Sequence, residues 1–523
     1  MKKFILFLNV LLLSASTFAQ TAQVVLSDEM KVDPFFMRHL HSDATGHYVL
    51  FAERGKGGTM IPIIRKYDNK MKMLFSKEYK VDGKDIYYED ILYAKGKFIW
   101  ISSKREKKSD VVSYYATPLD MKGIAGKPNL IASFTVDSKK DLPKAKFVVS
   151  NDTTKIGIVV TKDNDDNKEM AEAYVAVFDN NAEKLWNKKY NFKVSEKQFS
   201  VIDFDLLNNA EFLVLTKIYD NNSQKEEKRG SGKNEPAYDY FLNYFSKDSN
   251  EPRKLKLDLK GDFIMGGSLE TTPASETYLF GFYSKKAGGI IQGMYNMKVA
   301  SNGTVEYLNK KEFTDKELSV FEDKDVEKER GDKGISKFYE FTGFKIRKDG
   351  TMSIAAEDNY VQTTTTNKVT SYTYFSKSII DIQMDDKGKI SSFRIIPKKQ
   401  ATLNWRLGIG HETVNNENNT YYFYNEDEDN LKKPIEERGQ AIKNFKQFVM
   451  VMTYFDPATG KPVRKALLDK DKVNQTLEPE HCVQIGDNTL FIVLVEHSNF
   501  SVSGTISSVL GKTLRLGTIT VSE

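Results

Sequence analysis

Short runs of β-branched, aliphatic and aromatic residues follow one another along the whole chain, separated by clusters rich in Asn, Asp, Gly and Lys. The clearest stretch starts at Lys146. It reads KFVVS, a polar turn NDTTK, a second run IGIVVT, a polar connection DNDDNKEMAE, a third run AYVAVF and, after DNNAE, a fourth, KLWNKKYNF. Runs this short, bounded by turn residues and enriched in Val, Ile, Tyr and Phe, predict strands. Their order predicts an antiparallel meander of four strands.

The same unit recurs. Its first run begins at Phe35, Ile86, Lys146, Phe199, Asp262, Phe338, Leu403 and Leu477, and a second run follows closely in each case: HYVLFAE, KFIWIS, IGIVVT, EFLVLT, TYLFGF, TMSIAA, TYYFYN and TLFIVLVE. Repetition at roughly 50 to 75 residues identifies an architecture. A lone meander would leave both apolar faces in water, whereas radial packing buries each against its neighbour and leaves only short edges. The pattern therefore predicts an all-β fold, a β-propeller of about eight four-stranded antiparallel blades, with seven as the alternative count. The last unit ends on its third run, TLRLGTITV, and lacks a fourth. The segment TAQVVLSDEM, from Thr21 to Met30, is predicted to supply it and close the ring. The alternative is two β-domains divided in the charged stretch 314–337, where Asp315 and the helix formers after it predict a short inserted helix.

The first residues carry an address. Lys2 and Lys3 precede an apolar stretch from Phe4 to Leu13, and Thr17-Phe18-Ala19 is a small-residue cleavage site, so 1–19 reads as a signal peptide and 20–523 as one propeller domain. The expected location is periplasmic or extracellular, without a lipid anchor, because the residue directly after Ala19 is Gln20 and not a cysteine. No later run approaches the roughly 20 apolar residues that span a bilayer.

Composition narrows the partners. The chain is 40% hydrophobic and 28% charged, which suits a folded domain. Its net charge of +5 falls to +3 without Lys2 and Lys3. That small excess gives no reason to expect nucleic acid or an anionic membrane as the main partner. The single Cys482 excludes an internal disulfide and sits in a strand-like context, as a small core hydrophobe does.

Three segments, from Ala355 AAEDNYVQTTTTNKVTSYTYFSKSIIDIQMDDKGKISSFRIIPKKQ, from Thr420 TYYFYNEDEDNLKKP, and from Tyr278 YLFGFYSKKAGGIIQGMYNMKV, resemble segments of a family of exported bacterial β-repeat proteins. That family carries no assigned activity. The resemblance implies export and β-repeat architecture, and it transfers no catalytic residue.

Candidate chemistry sits in the connections. Those between second and third strands are the elaborate ones: 53–59, 103–110, 162–172, 217–236, 357–371, 425–446 and 497–512. In a propeller they gather on one face, and insertions concentrated on one face mark the surface that binds. Their charges are patterned. Lys104, Arg105, Lys107, Lys108, Lys225 and Arg229 are basic, while Glu426, Asp427, Glu428 and Asp429 form an acidic run, and such a pattern orients a protein partner. The Thr-rich piece QTTTTNKVTSYTY predicts a polar hairpin extension.

Other chemistries find less. Asp163, Asp165 and Asn167 start a calcium loop, but Lys168 stands where its glycine belongs and Tyr174 where its glutamate belongs. His39 and His41, two apart in a strand, are expected on one face, without a third ligand motif nearby. No cofactor or metal is expected. Neither a GxSxG elbow nor a dinucleotide fingerprint occurs. First-strand carboxylates (Glu89, Asp90, Asp203, Asp205, Asp262, Glu340, Glu480) would face a central channel, as in glycosidase propellers. Trp405 and His411 are the aromatic and the imidazole to follow there. The chain thus reads as a non-enzymatic exported propeller that binds a protein or envelope component through its loop-rich face. The alternatives are a carbohydrate-active enzyme working through channel carboxylates and a structural envelope protein.

Overall fold

The computed structural model describes residues 22–31, 36–54, 60–79, 86–106, 111–135, 144–161, 169–228, 235–319, 327–329, 332–366, 368–404, 406–435, 447–468, 473–496 and 513–522. The signal-peptide reading, the calcium-loop residues Asp163, Asp165 and Asn167, and Trp405 lie outside them. No helix among the described residues is long and apolar enough to cross a membrane.

Eight antiparallel sheets of four or more strands follow one another along the chain. Their first strands are Phe36–Asp43, Ile86–Ala94, Lys144–Val149, Phe199–Leu206, the pair Phe263–Ile264 and Ser268–Thr271, Tyr339–Ile346, Glu412–Asn415, and the pair Thr476–Leu477 and Val483–Gly486. First strands of successive sheets lie against one another from the first to the fifth and from the sixth to the eighth, that of the eighth returns to that of the first, and the fifth and sixth meet through Phe280 on Phe344.

Period-two alternation explains the radial stack. In the second strand of the eighth sheet, Thr489–Val495, Leu490 and Ile492 pack with Val414 and Tyr421 of the seventh sheet. Phe491 and Val493 point the other way, onto Val49 and Phe51 of the first. In the fourth sheet, Phe212 and Val214 meet Val159 and Val175 of the third, while Leu213 and Leu215 meet Leu279 and Tyr295 of the fifth. A strand buried on both faces reads as a continuous apolar run, which is why the second runs were the clearest signal. The remaining seams are filled alike: Leu50 with Ile91 and Phe98, Ile99 with Ile156, Phe282 with Ile354, and Ile379 with Tyr422. Each such side chain contributes about 1.5–3 kcal/mol by leaving water.

Closure follows the sequence expectation. Ala22–Leu26 pairs antiparallel with Thr513–Val521 from Ala22 opposite Val521 to Leu26 opposite Gly517, and Met30 with Lys31 extends the contact to Leu514 and Thr513. The two ends of the described chain complete one sheet. The fold is a β-propeller.

Two first strands differ from expectation. The run from Leu403 is not the inner strand of its sheet. Gln400–Leu403 pairs instead with the sixth sheet, and the seventh begins at Glu412, because Gly408 (φ 63°) and Gly410 (φ 101°) turn the chain between them. The run from Leu477 is split by the 3-10 turn Pro479–His481, since proline cannot donate to a ladder. In the charged stretch, Thr314 caps the helix Asp315–Leu318, its hydroxyl accepting from the Glu317 amide while the Glu317 carboxylate accepts from the Thr314 amide.

Candidate functional site

Antiparallel pairing places every second-to-third connection at the same end of its sheet. The candidate binding residues approach that face unequally. Lys104 and Arg105 end the second strand of the second sheet, Lys97–Glu106. Lys225 is exposed in the connection 220–237 of the fourth sheet. Lys107, Lys108 and Arg229 lie outside the described residues.

The acidic run divides. Glu426 and Asp427 were expected in a loop, but they end the strand Thr420–Asp427 and are buried. Arg464 on the fourth strand holds the Glu426 carboxylate at 3.1 Å, and the Asp427 carboxylate caps the following 3-10 turn by accepting from the Asp429 amide. Burial raises the Glu426 pKa, with hydrogen bonds from Asn430 and the Asp427 amide opposing it. Glu428 and Asp429 are exposed.

Lys104 leads to a cavity. Trp100, Ser102 and Lys104 alternate along one face of their strand, and Thr117 and Tyr115 stand opposite Trp100 and Ser102 on the next. With Tyr79 from the first sheet and the connection through Gly123, Ile124 and Pro128, they line a cavity of about 930 Å³ on the seam of the first two sheets. The rings of Tyr79 and Trp100 are 6.0 Å apart. Trp100 Nε1 and Tyr79 Oη are buried and make no hydrogen bond among the described residues. Burial and then Asp120 push the Tyr79 phenol well above its usual range. Glycine is required at 123: φ is 77°, and a Cβ there would fall 1.8 Å from Tyr79 Oη. The cavity's strongest sequence signal was the alternation W-x-S-x-K, which passes for ordinary strand patterning.

A second anchor lies on the fourth sheet. Lys217, in the strand Phe212–Tyr219, sits in a box of Tyr219 and Tyr238, 4.5 and 3.9 Å from its Nζ, with both Glu226 oxygens at 2.8 and 2.9 Å. Tyr219 donates to the same carboxylate. Burial lowers the Lys217 pKa and Glu226 opposes that shift. The pair ties the connection 220–237 to the rigid sheet beneath it.

The channel carboxylates serve the frame. A bulge interrupts the first strand in several sheets, between Tyr88 and Asp90, Val201 and Asp203, and Phe341 and Gly343. Bulges re-aim side chains. Asp90 thereby reaches Arg38 of the first sheet at 2.5 Å, and Asp203 accepts from the Leu269 amide of the fifth sheet at 2.8 Å. Glu89, lifted in pKa by burial, accepts from Ser103, and Asp262 pairs with Lys310. Glu340 and Glu480 are exposed. Glu270, absent from the sequence candidates, is the most perturbed of the group: burial, then Asp205 and Asp203, raise it to about 7.

The histidines separate for the same reason. A bulge between His39 and His41 puts His39 against Phe491 of the eighth sheet, centroids 4.9 Å apart, while His41 stacks at 3.5 Å on Tyr93 of the second. They do not share a face. His39, brought down to about 3 by burial, then His47 and His41, joins His47 through the Ser42 hydroxyl. No cluster of metal-binding side chains occurs among the described residues.

His411 belongs to a buried set between the sixth and seventh sheets. Lys398 Nζ is 2.5 Å and His411 Nδ1 3.0 Å from one Glu357 oxygen, and Lys398 donates further to Ser376 and Gln400. Burial pushes Glu357 up, but the Lys398 and His411 charges outweigh it and hold the carboxyl well below its usual range. Glu412 beside them is raised to about 7 by burial, against the Thr413 amide, with Glu357 adding to the rise.

No family model matches the chain. No curated protein matches it either. Among solved structures it is similar to a eukaryotic initiation factor (TM-score 0.36, 11% identity, 90% of this chain and 84% of that one). It is also similar to the β-propeller domain of the Trilobed protease from Pyrococcus furiosus (0.33, 9%, 85% and 96%). A third is an alpha-L-arabinanase from Penicillium chrysogenum (0.31, 8%, 64% and 93%).

Proposed function

We propose that this protein is a non-enzymatic exported propeller that binds a protein or cell-envelope component through the face carrying its second-to-third connections. One observation carries the reading: Lys104, at the base of that face, lines an aromatic cavity of about 930 Å³ with Trp100, Tyr79 and Tyr115. Tyrosine and tryptophan are the residue types that anchor protein interfaces, and Lys104 beside them adds a charge that orients a partner. The carboxylates Asp90 and Asp203 are meanwhile engaged in holding neighbouring sheets together, and Asp262 pairs with Lys310 within the fifth sheet. Export rests on the leader-like pattern of residues 1–19.

The test is crosslinking and co-purification from the native envelope. Reversal of Lys104, Arg105, Lys107 and Lys108 to Glu should abolish recovery of a specific partner. Reversal of Lys348 and Lys387, in turns of the opposite face, should leave it intact. Equal recovery with both variants rejects the reading.

A second reading has one observation in its favour. Glu270, raised to about 7 beside Asp203 and Asp205, is a carboxyl poised to hold a proton near neutral pH, as a glycosidase acid does. Glycan turnover that disappears in Glu270→Gln would favour it over the first.

A further inference from the structure

The second and third strands of the sixth sheet outgrow their neighbours. Met352–Thr366 and Val369–Met384 form a hairpin whose register runs unbroken from Asn359 opposite Ser376 to Thr366 opposite Val369. The first strand, Tyr339–Ile346, pairs with Met352–Asp358 only. Just before that strand, the Phe338 carbonyl accepts the last backbone hydrogen bond, from the Asn359 amide at 3.0 Å. On the opposite edge, Gln400–Leu403 pairs with Thr373–Ser376, and the Asn404 side chain accepts from the Tyr372 amide. The arm therefore has one edge covered near its base and, among the described residues, no strand neighbour along the other from Tyr360 to Thr366.

That edge is ready for pairing. Backbone direction alternates along a strand. Since the Asn359 amide faces the first strand, the N–H and C=O groups of Val361, Thr363 and Thr365 face the open side. The arm is held straight by Tyr360 stacked on Phe375, centroids 4.6 Å apart, with Phe338 against Tyr360. No charged residue occurs from Asn359 to Asn367. Free edges are normally blunted by charge, proline or a bulge, and this one has none of the three among its described residues. Val361 on this strand and Val369 on its partner, on opposite faces of the arm, are 50% and 71% exposed.

We infer that the edge Tyr360–Thr366 pairs antiparallel with the same edge of a second copy of this chain, across a two-fold axis. Three features select a second copy over a foreign peptide. The edge residues themselves are uncharged, so self-pairing sets no like charges directly opposite one another, with Lys377 lying over the face of the Tyr360 ring. Its side chains are mostly threonines, which form none of the pockets by which strand-addition sites choose a foreign sequence. The other edge is occupied near the base, so pairing closes at two chains and does not propagate into a fibre. The inference is independent of the partner proposed above.

Sedimentation of the mature protein from low to high micromolar concentration tests it. The expected result is a mass that rises from one chain to two and stops. Thr363→Pro removes one outward N–H without touching the arm's own ladder, and the pair Val361→Lys, Thr365→Lys places charge on the edge; both should stay at one-chain mass with the wild-type melting curve. The lysine pair carries the test if the proline variant fails to fold. A wild-type protein that stays single overturns the inference, even if its arm binds an added peptide. So does a dimer that survives the lysine pair.

Discussion

Val24 lies opposite Ile519 in an antiparallel ladder, joining residues from the two ends of the described chain in one sheet. The joint depends on a small residue. A Cβ on Gly517 would come within 2.6 Å of the Leu26 side chain and the Val25 carbonyl. Deleting residues 20–31 should lower the melting temperature by at least about 5 °C, because the eighth sheet loses its outer strand and the burial of Val24 and Leu26. Gly517→Val should reproduce much of that loss. Combined with the deletion it should add little, since both remove the same contact. A melting curve unmoved by the deletion would show that the ring is held elsewhere.

Lys398 is enclosed with Glu357 as its counter-charge. Glu357→Gln should cost about 3–5 kcal/mol by leaving the ammonium uncompensated. Replacing both, as Glu357→Leu with Lys398→Met, should recover most of the loss. Urea midpoints for the two single variants and the double give the coupling. Additive losses would mean that the pair does not act as a unit.

Glu270 and Glu412 are both raised to about 7, above the ordinary 4.5. Between those values the folded protein binds more protons than the unfolded chain, so this contribution is fully present below about pH 4.5 and is lost as pH rises through about 7. Glu270→Gln mimics the protonated form. It should melt like the wild type near pH 5 and be more stable at pH 9, by up to roughly 3 kcal/mol. A benefit equal at both pH values would assign the effect to packing.

Much of the fold was legible because burial on both faces writes uninterrupted apolar runs, as in FLVL from Phe212 and LFIVLV from Leu490. The closing strand and the Thr-rich hairpin were legible too, one from an unpaired third run and the other from β-propensity. What escaped depended on single-residue events. Bulges reversed the facing of His41 relative to His39 and turned Asp90 and Asp203 toward neighbouring sheets. Glu426 and Asp427 passed for loop because their partners, Arg464 and the Asp429 amide, come from other elements. The cavity was invisible since Tyr79 and Trp100 come from different sheets, and only a seam brings their rings together.

The closing ladder also sets how the molecule answers force. Ala22 faces Val521, so both strands can be gripped at the same end of their ladder. Tension applied there peels the bonds apart one pair at a time, whereas a load along the strands would have to shear them together. The ring resists heat as a cooperative whole, yet a tug on its two ends meets only the next pair in the zip.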